Sequence, residues 1–258
     1  MTIKLLQLNI NGDNYWDTLI PFLAKNDFDI FHFQELAGKN TLSGNINSTR
    51  DCFAKLQQVL STNYKSELAI SQRYLSDPVN AYMGNAIFYK NNFALIEKNI
   101  LTLNQNTTPF PPDVTQYESL GRTFLHLTFQ IEGKQISFMN THFAWAHTPT
   151  EEPHQTEQGE ILLKYLQNVP KPFVLTGDFN LDPNQPTIQK ISKLSRNLIA
   201  ENHITNTLNP RTHRAKELFP QGVAVDYIFV SDDLTIKQFG VVEDDISDHF
   251  GLRVEIEI

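Results

Sequence analysis

Residues 172–180 read Pro-Phe-Val-Leu-Thr-Gly-Asp-Phe-Asn, PFVLTGDFN. An apolar run of strand length stops at a glycine, and a carboxylate and an amide, Asp178 and Asn180, follow two residues apart. Alone, the segment reads either as a strand closed by a turn, with both side chains bonding their own backbone, or as a strand that delivers polar groups to a site at its end. The rest of the chain repeats the pattern. IKLLQL (3–8) is followed by Asn9 and Asn11, and FDIFHFQE (28–35) ends in Gln34 and Glu35. KQISFMNTH (134–142) ends in Asn140 and His142. Asp226 lies inside VAVDYIFVS (223–231), and Ser247-Asp248-His249 stands just before the last strand, FGLRVEIEI (250–258).

Between these runs, YWDTLIPFLAKN (15–26), STRDCFAKLQQVLS (48–61), TEQGEILLKYLQNV (156–169) and NQPTIQKISKLS (184–195) carry helical spacing. Asp13 or Asn14 is the expected N-cap of the first, and Ser48 or Thr49 of the second. From 65 to 141 the chain breaks into short alternating runs, and Glu132-Gly133-Lys134 between two of them signals a hairpin. Helices flanking strands at both ends, with hairpins in the middle, predict a mixed-sheet α/β layered fold. The Pro-rich loop 104–120, with Pro109, Pro111 and Pro112, reads as a surface excursion within one domain spanning 1–258.

Composition narrows the function less. The chain has 258 residues, 40% of them hydrophobic, enough for a sizeable core. A net charge of −8 argues mildly against holding duplex nucleic acid by bulk electrostatics. Cys52 is the only cysteine, so no internal disulfide forms. The N-terminal apolar stretch is too short for a signal-peptide core and no run reaches membrane-spanning length, so a cytoplasmic protein is expected. On that reading the sequons at Asn47 and Asn106 are coincidental.

Each polar strand end has an ordinary explanation. Asn9-Ile10-Asn11-Gly12 is common turn composition, Gln34-Glu35 suits a strand end facing water, and a lone His142 suits a hydrogen-bonded core. Asp226, between Val225 and Tyr227, is harder to dismiss, because a carboxylate among apolar neighbours needs a partner. Taken in order, Asn-x-Asn-Gly, Gln-Glu, Gly-Asn-Ala-Ile-Phe, Gly-Arg, Asn-Thr-His, Gly-Asp-Phe-Asn, Val-Asp-Tyr-Ile-Phe-Val-Ser and Ser-Asp-His resemble the endonuclease/exonuclease/phosphatase (DNase I-like) superfamily over residues 9–249. The resemblance implies a four-layer sandwich of two packed mixed β-sheets flanked by helices. It also implies a magnesium-dependent phosphoesterase, manganese being an alternative metal, in which an activated water attacks phosphorus directly.

Carried over residue by residue, the resemblance makes Glu35 the main magnesium ligand, with Asn9 supporting the metal or its water shell and Asp248 close by. Asp178 orients or deprotonates the water, and Asn180 holds the phosphate or that water. His249 touches the phosphoryl oxygens with Asp226 fixing its ring, and His142 is a further phosphate contact. Arg122, in the Gly-Arg turn, is read as structural. Whether Asp178 or the Asp226–His249 pair is the base stays open. The chemistry suits these residue types: magnesium takes hard oxygen ligands, a carboxylate accepts a proton from water, and developing phosphoryl charge needs fixed donors.

Two departures bear on the substrate. Asn11 stands where the abasic-site branch often has an acid, and NTHFAWAH (140–147) is closer to the sphingomyelinase and tyrosyl-phosphodiesterase branches. Asn11, Trp145 and Arg211 are candidate substrate contacts. Trp145, His147 and His154 lie near His142, and Arg211, His213 and Arg214 form a small basic cluster. The phosphoester partner, whether nucleic acid, phospholipid head group or inositol phosphate, is not distinguished, and a monomer is expected. A DNA-repair nuclease, a catalytically silent partner-binding member of the fold and a purely structural cation site are the alternatives. The last requires Asp178 and His249 to lie far from Glu35.

Overall fold

A computed structural model describes residues 1–38, 51–73, 82–107, 115–146, 150–214 and 219–258. Its elements are β1 (Thr2–Asn9), α1 (Trp16–Lys25), β2 (Ile30–Gly38), α2 (Cys52–Leu60), β3 (Tyr64–Arg73), β4 (Tyr82–Lys90), β5 (Ala94–Asn104), β6 (Arg122–Ile131), β7 (Lys134–His142), α3 (Pro153–Leu166), β8 (Phe173–Asp178), α4 (Pro186–Ile191), β9 (Arg196–Asn197), α5 (Leu198–Glu201), β10 (Asp226–Val230), β11 (Thr235–Val242) and β12 (Gly251–Glu257). They form two six-stranded sheets, ordered β11-β12-β1-β2-β4-β3 and β5-β6-β7-β8-β10-β9. Only β1–β2 and β7–β8 pair in parallel, so both sheets are mixed. This is the expected four-layer arrangement. No helix among the described residues is long and apolar enough to cross a membrane.

The two-residue period of a strand explains where the core sits. In β1, Leu6 and Leu8 join Leu19 and Leu23 of α1 and Leu56 and Leu60 of α2 in an outer core. Ile3 and Leu5 point the other way, into a larger core shared with Leu125, Leu127 and Phe138 of the second sheet and Leu162 and Leu166 of α3. β1 is thus buried on both faces, which is why its run is nearly all apolar. The same alternation builds the site. Gln7 and Asn9 continue the inward row of β1, as His32 and Gln34 do in β2, Asn140 and His142 in β7, and Thr176 and Asp178 in β8. All eight are buried. The layer between the sheets therefore changes from apolar to polar towards one end.

Some boundaries and caps differ from expectation. The cap of α1 is Tyr15, with no side-chain bond; Asn14 instead donates to the Asn11 carbonyl and Oδ1. Ser48 and Thr49 lie outside the described residues, and Asp51 caps α2 by accepting from the Ala54 N–H at 2.9 Å. α3 starts three residues earlier than its periodicity indicates, at a Glu152/Gln155 capping box. Asp226 opens β10 rather than lying inside it. The Glu132-Gly133 hairpin is present, both residues having positive φ. Pro109, Pro111, Pro112 and His147 are outside the described residues. β11 was not legible as a strand: it is an edge with only Val242 buried, so it lacks a dense apolar face.

Candidate active site

Strand register brings the polar ends together. Asp178 of β8 lies beside His142 of β7 on one side and Asp226 of β10 on the other. Across the layer, Asn9 of β1 lies beside Gln34 of β2. Between Phe33 and Leu36 the pairing with β4 shifts by a bulge, and Glu35 there has φ +55°. A bulge re-aims a side chain. Here it turns Glu35 out of the strict alternation, and its side chain is the most open of the acidic set at 23% exposed.

The Asn9 amide nitrogen is the centre of the geometry. It donates to Glu35 Oε1 at 3.0 Å and to Asp178 Oδ2 at 2.9 Å, so one NH₂ joins the two sheets' carboxylates. His142 Nε2 lies 3.9 Å from Glu35 Oε1 and 3.6 Å from Asp178 Oδ2. These distances exclude the reading in which Asp178 is remote from a structural cation site at Glu35. His249 completes the cluster: its Nδ1 is 2.9 Å from Asp226 Oδ2 and its Nε2 3.8 Å from Asp178 Oδ2.

Asp226 has the partners that its position requires. Besides His249, it accepts from Gln7 Nε2 at 2.9 Å and Thr207 Oγ1 at 2.7 Å. The loop carrying Asp248 and His249 is pinned by Asn209 N–H to the Asp248 carbonyl at 2.8 Å and Phe250 N–H to the Thr207 carbonyl at 2.7 Å. Ser247 Oγ donates to the Asn9 carbonyl at 2.6 Å, which ties that loop to β1.

Asn180, at φ +50°, takes the turn expected of it, and its N–H caps Asp178 Oδ1 at 2.9 Å. Its amide nitrogen donates to the Phe143 carbonyl at 3.0 Å and lies 3.1 Å from His142 Nε2. The carbonyl contact fixes the amide orientation, so His142 Nε2 accepts and the ring carries its proton on Nδ1.

The electrostatics separate the roles. Burial opposes charge on His249, but Asp226 and Asp178 outweigh it and hold its pKa well above the usual histidine value. Burial, joined by Arg122 and His249, holds His142 well below that value, so it is neutral. Burial lifts Asp178 to about 7, with His249 opposing and Asp226 adding to the rise. Burial and then Asp248 raise Glu35, against the Asn9 bond and the charges of His249 and Arg122.

The cluster floors a cleft of about 400 Å³. Its lining includes Asn11, Trp145 and Asp248. Arg211 is not brought there: its guanidinium pairs with Asp245 at 2.6 Å and donates to the Glu243 carbonyl at 2.9 Å. His213 and Arg214 of the same basic cluster do line the cleft, and the His213 ring meets His249 edge-on at 5.3 Å. His154 instead caps the Trp145 carbonyl at 2.9 Å. Arg122, read from the sequence as structural, is buried, lines the cleft and biases both Glu35 and His142. Its place at the head of the apolar run TFLHLTF was the available signal. Gln7 and Thr207 were missed, because neither stands at a strand end beside a motif.

A divalent ion fits these residues. Glu35 and Asp178 both turn a carboxylate oxygen to the Asn9 amide nitrogen, and burial and then the Asp248 charge disfavour the Glu35 carboxylate, a penalty that a bound cation relieves. The carboxylate oxygens suit a hard ion.

Comparison with known proteins agrees with this geometry. Residues 6–249 match the model of the Endonuclease/Exonuclease/phosphatase family. No curated protein matches the chain by sequence. Among solved structures, an endonuclease/exonuclease/phosphatase from Beutenbergia cavernae DSM 12333 is 20% identical with a TM-score of 0.72, covering 100% of this chain and 72% of its own. The human Nocturnin catalytic domain with bound sulfate is 18% identical with a TM-score of 0.70, covering 99% and 93%. The mannosyl-6-phosphatase of Bacteroides thetaiotaomicron VPI-5482 is 20% identical with a TM-score of 0.68, covering 99% and 100%. At these identities the structures speak for the fold, and the match over nearly the whole sequence speaks for descent: the chain belongs to the endonuclease/exonuclease/phosphatase family, whose members hydrolyse phosphoester bonds.

Proposed function

We propose that this chain is a magnesium-dependent phosphoesterase that cleaves a small phosphodiester or phosphomonoester by direct attack of water. The observation that carries the proposal is the Asn9 amide joining Glu35 to Asp178, with His249 3.8 Å from the same Asp178 oxygen. Glu35 would hold the ion, with Asn9 and Asp248 beside it, and manganese fits the same oxygen donors. Once bound, the ion would neutralise the phosphate and stabilise charge on the leaving oxygen.

The chain's own residues divide the remaining work. Asp178 takes the proton of the attacking water; a carboxyl lifted to about 7 is matched to proton transfer near neutral pH. His249 is held charged by Asp226, so it serves as the donor to a phosphoryl oxygen through Nε2 and not as the base. This supports Asp178 as the general base. Asn180 commits its amide hydrogens to Phe143 and His142, which leaves Oδ1 to accept from the water. Neutral His142 keeps Asn180 in place, and buried Arg122 supplies positive charge to the cleft.

The test is a panel of phosphoesters with magnesium: abasic DNA, single-stranded DNA, a sphingomyelin analogue, inositol phosphates, a sugar 6-phosphate and a tyrosyl-nucleotide ester. Asp178→Asn and His249→Gln should each lower turnover by about 10²–10⁴-fold on any substrate that the wild type cleaves, with the fold intact by circular dichroism. Full activity in both variants refutes the proposal.

A further inference from the structure

Trp145 is the only aromatic among the exposed large hydrophobic side chains of the described residues, at 36% exposed, and its backbone is tied into the cleft wall by hydrogen bonds. Its own carbonyl accepts from His154 at 2.9 Å. The preceding residue, Ala144, is gripped at both ends by buried glutamines of α3: its N–H donates to Gln158 Oε1 at 3.0 Å, and its carbonyl accepts from Gln155 Nε2 at 2.9 Å. The same Gln155 nitrogen donates to the Asn180 carbonyl at 3.1 Å, and Asn180 in turn holds the Phe143 carbonyl. The backbone that carries Trp145 is therefore tied to Asn180. Across from it, Tyr117 meets Trp145 at 5.4 Å between ring centroids and 56° between planes, and both rings line the cleft with Leu120 and Arg122.

Anchoring the backbone beneath a partly exposed indole has little value for stability, because much of the ring's surface gains no burial from it. A preorganised aromatic surface is valuable when something flat lies on it. The surrounding charge limits what that something is. Arg122 and Arg214 are the only Lys or Arg among the described residues lining the cleft, against Asp13, Glu35, Asp178, Asp182 and Asp248. One phosphate can be held there, but the track of cations that a polyanion needs is missing from the described lining.

We propose that Tyr117 and Trp145 form an aromatic shelf beside the phosphate position and select small phosphoesters that carry a flat unsaturated ring, whether a nucleobase or an aryl group. The inference rests on the phosphate reading of the site given above. It makes Trp145 a specificity-determining residue and gives Gln155 and Gln158 a positioning role.

The experiment is calorimetric binding in the presence of magnesium, which does not depend on turnover. The probes are adenosine monophosphate, phenyl phosphate, ribose 5-phosphate, phosphocholine and inorganic phosphate. Wild type should bind the two ring-bearing esters at least about tenfold more tightly than ribose 5-phosphate. Trp145→Ala should erase that preference and leave inorganic phosphate unchanged, and Trp145→Phe should restore most of it. Trp16 is the only other tryptophan, so quenching in a Trp16→Phe background reports contact with Trp145 directly. Preference for adenosine monophosphate over phenyl phosphate assigns the shelf to a base, and the reverse to an aryl group; either supports it. Equal binding of ribose 5-phosphate, tighter binding of phosphocholine, or an unchanged preference in Trp145→Ala overturns the shelf alone. Failure of inorganic phosphate and every ester to bind overturns both the shelf and the phosphate reading.

Discussion

His32 sits between the sheets two residues before Gln34, fully buried, with Nδ1 2.7 Å from Thr176 Oγ1. It therefore ties β2, which carries Glu35, to β8, which carries Asp178. Among the described residues Thr176 is the ring's only hydrogen-bond partner, and Nε2 has none. A protonated ring would hold two N–H donors and bury one of them unpaired, and burial lowers its pKa from 6.5 to about 3. The unfolded chain binds this proton first as pH falls, so the stability that the neutral ring contributes is intact above 6.5 and drains away between 6.5 and 3. At pH 5 the loss is set almost wholly by the unfolded value, because the folded ring is still neutral there. It comes to about 2 kcal/mol relative to pH 7.5. His32→Gln keeps an amide for Thr176 and removes the titration. Urea unfolding of both proteins at pH 7.5 and 5, with chelator present, isolates the effect, since every other group titrates in both. The wild type should lose about 2 kcal/mol more than His32→Gln on acidification. Losses equal within about 0.5 kcal/mol would refute the claim that His32 is buried neutral.

Three further outcomes follow from the site. Asp226→Asn removes the main charge holding His249 protonated, so the alkaline limb of the pH–rate profile should move to lower pH, as the donor form is lost earlier on raising pH. An unmoved limb would separate His249 from that ionisation. Glu35→Gln should weaken magnesium binding by calorimetry by about tenfold or more while the protein stays folded. Gly177→Ala drives a Cβ into the Thr141 carbonyl oxygen, between β7 and β8, and should cost roughly 1–3 kcal/mol in urea unfolding together with activity.

Much of this arrangement was legible from the sequence, because the relevant physics is local. A two-residue period places Asn9, His142 and Asp178 on the same face as Leu5, Phe138 and Val174, the apolar residues four positions before them. Glycine and asparagine mark where each run must turn, and Asn180 takes the positive φ that such a turn requires. The polar groups of six segments could thus be named before any of them was placed in space. Tertiary structure alone decided what each end faces. The bulge that frees Glu35 depends on its pairing with β4, and the Asp178–Asp226 adjacency depends on a register set by strands far apart in the chain. Arg122, read as a turn residue, lies in the cleft because β6 starts beside the site. Arg211, read as a substrate contact, is drawn away because Asp245 of a distant loop reaches it first. Periodicity and turn chemistry act over a few residues, so a sequence displays them; partners across sheets and loops are fixed only when the strands have found their order.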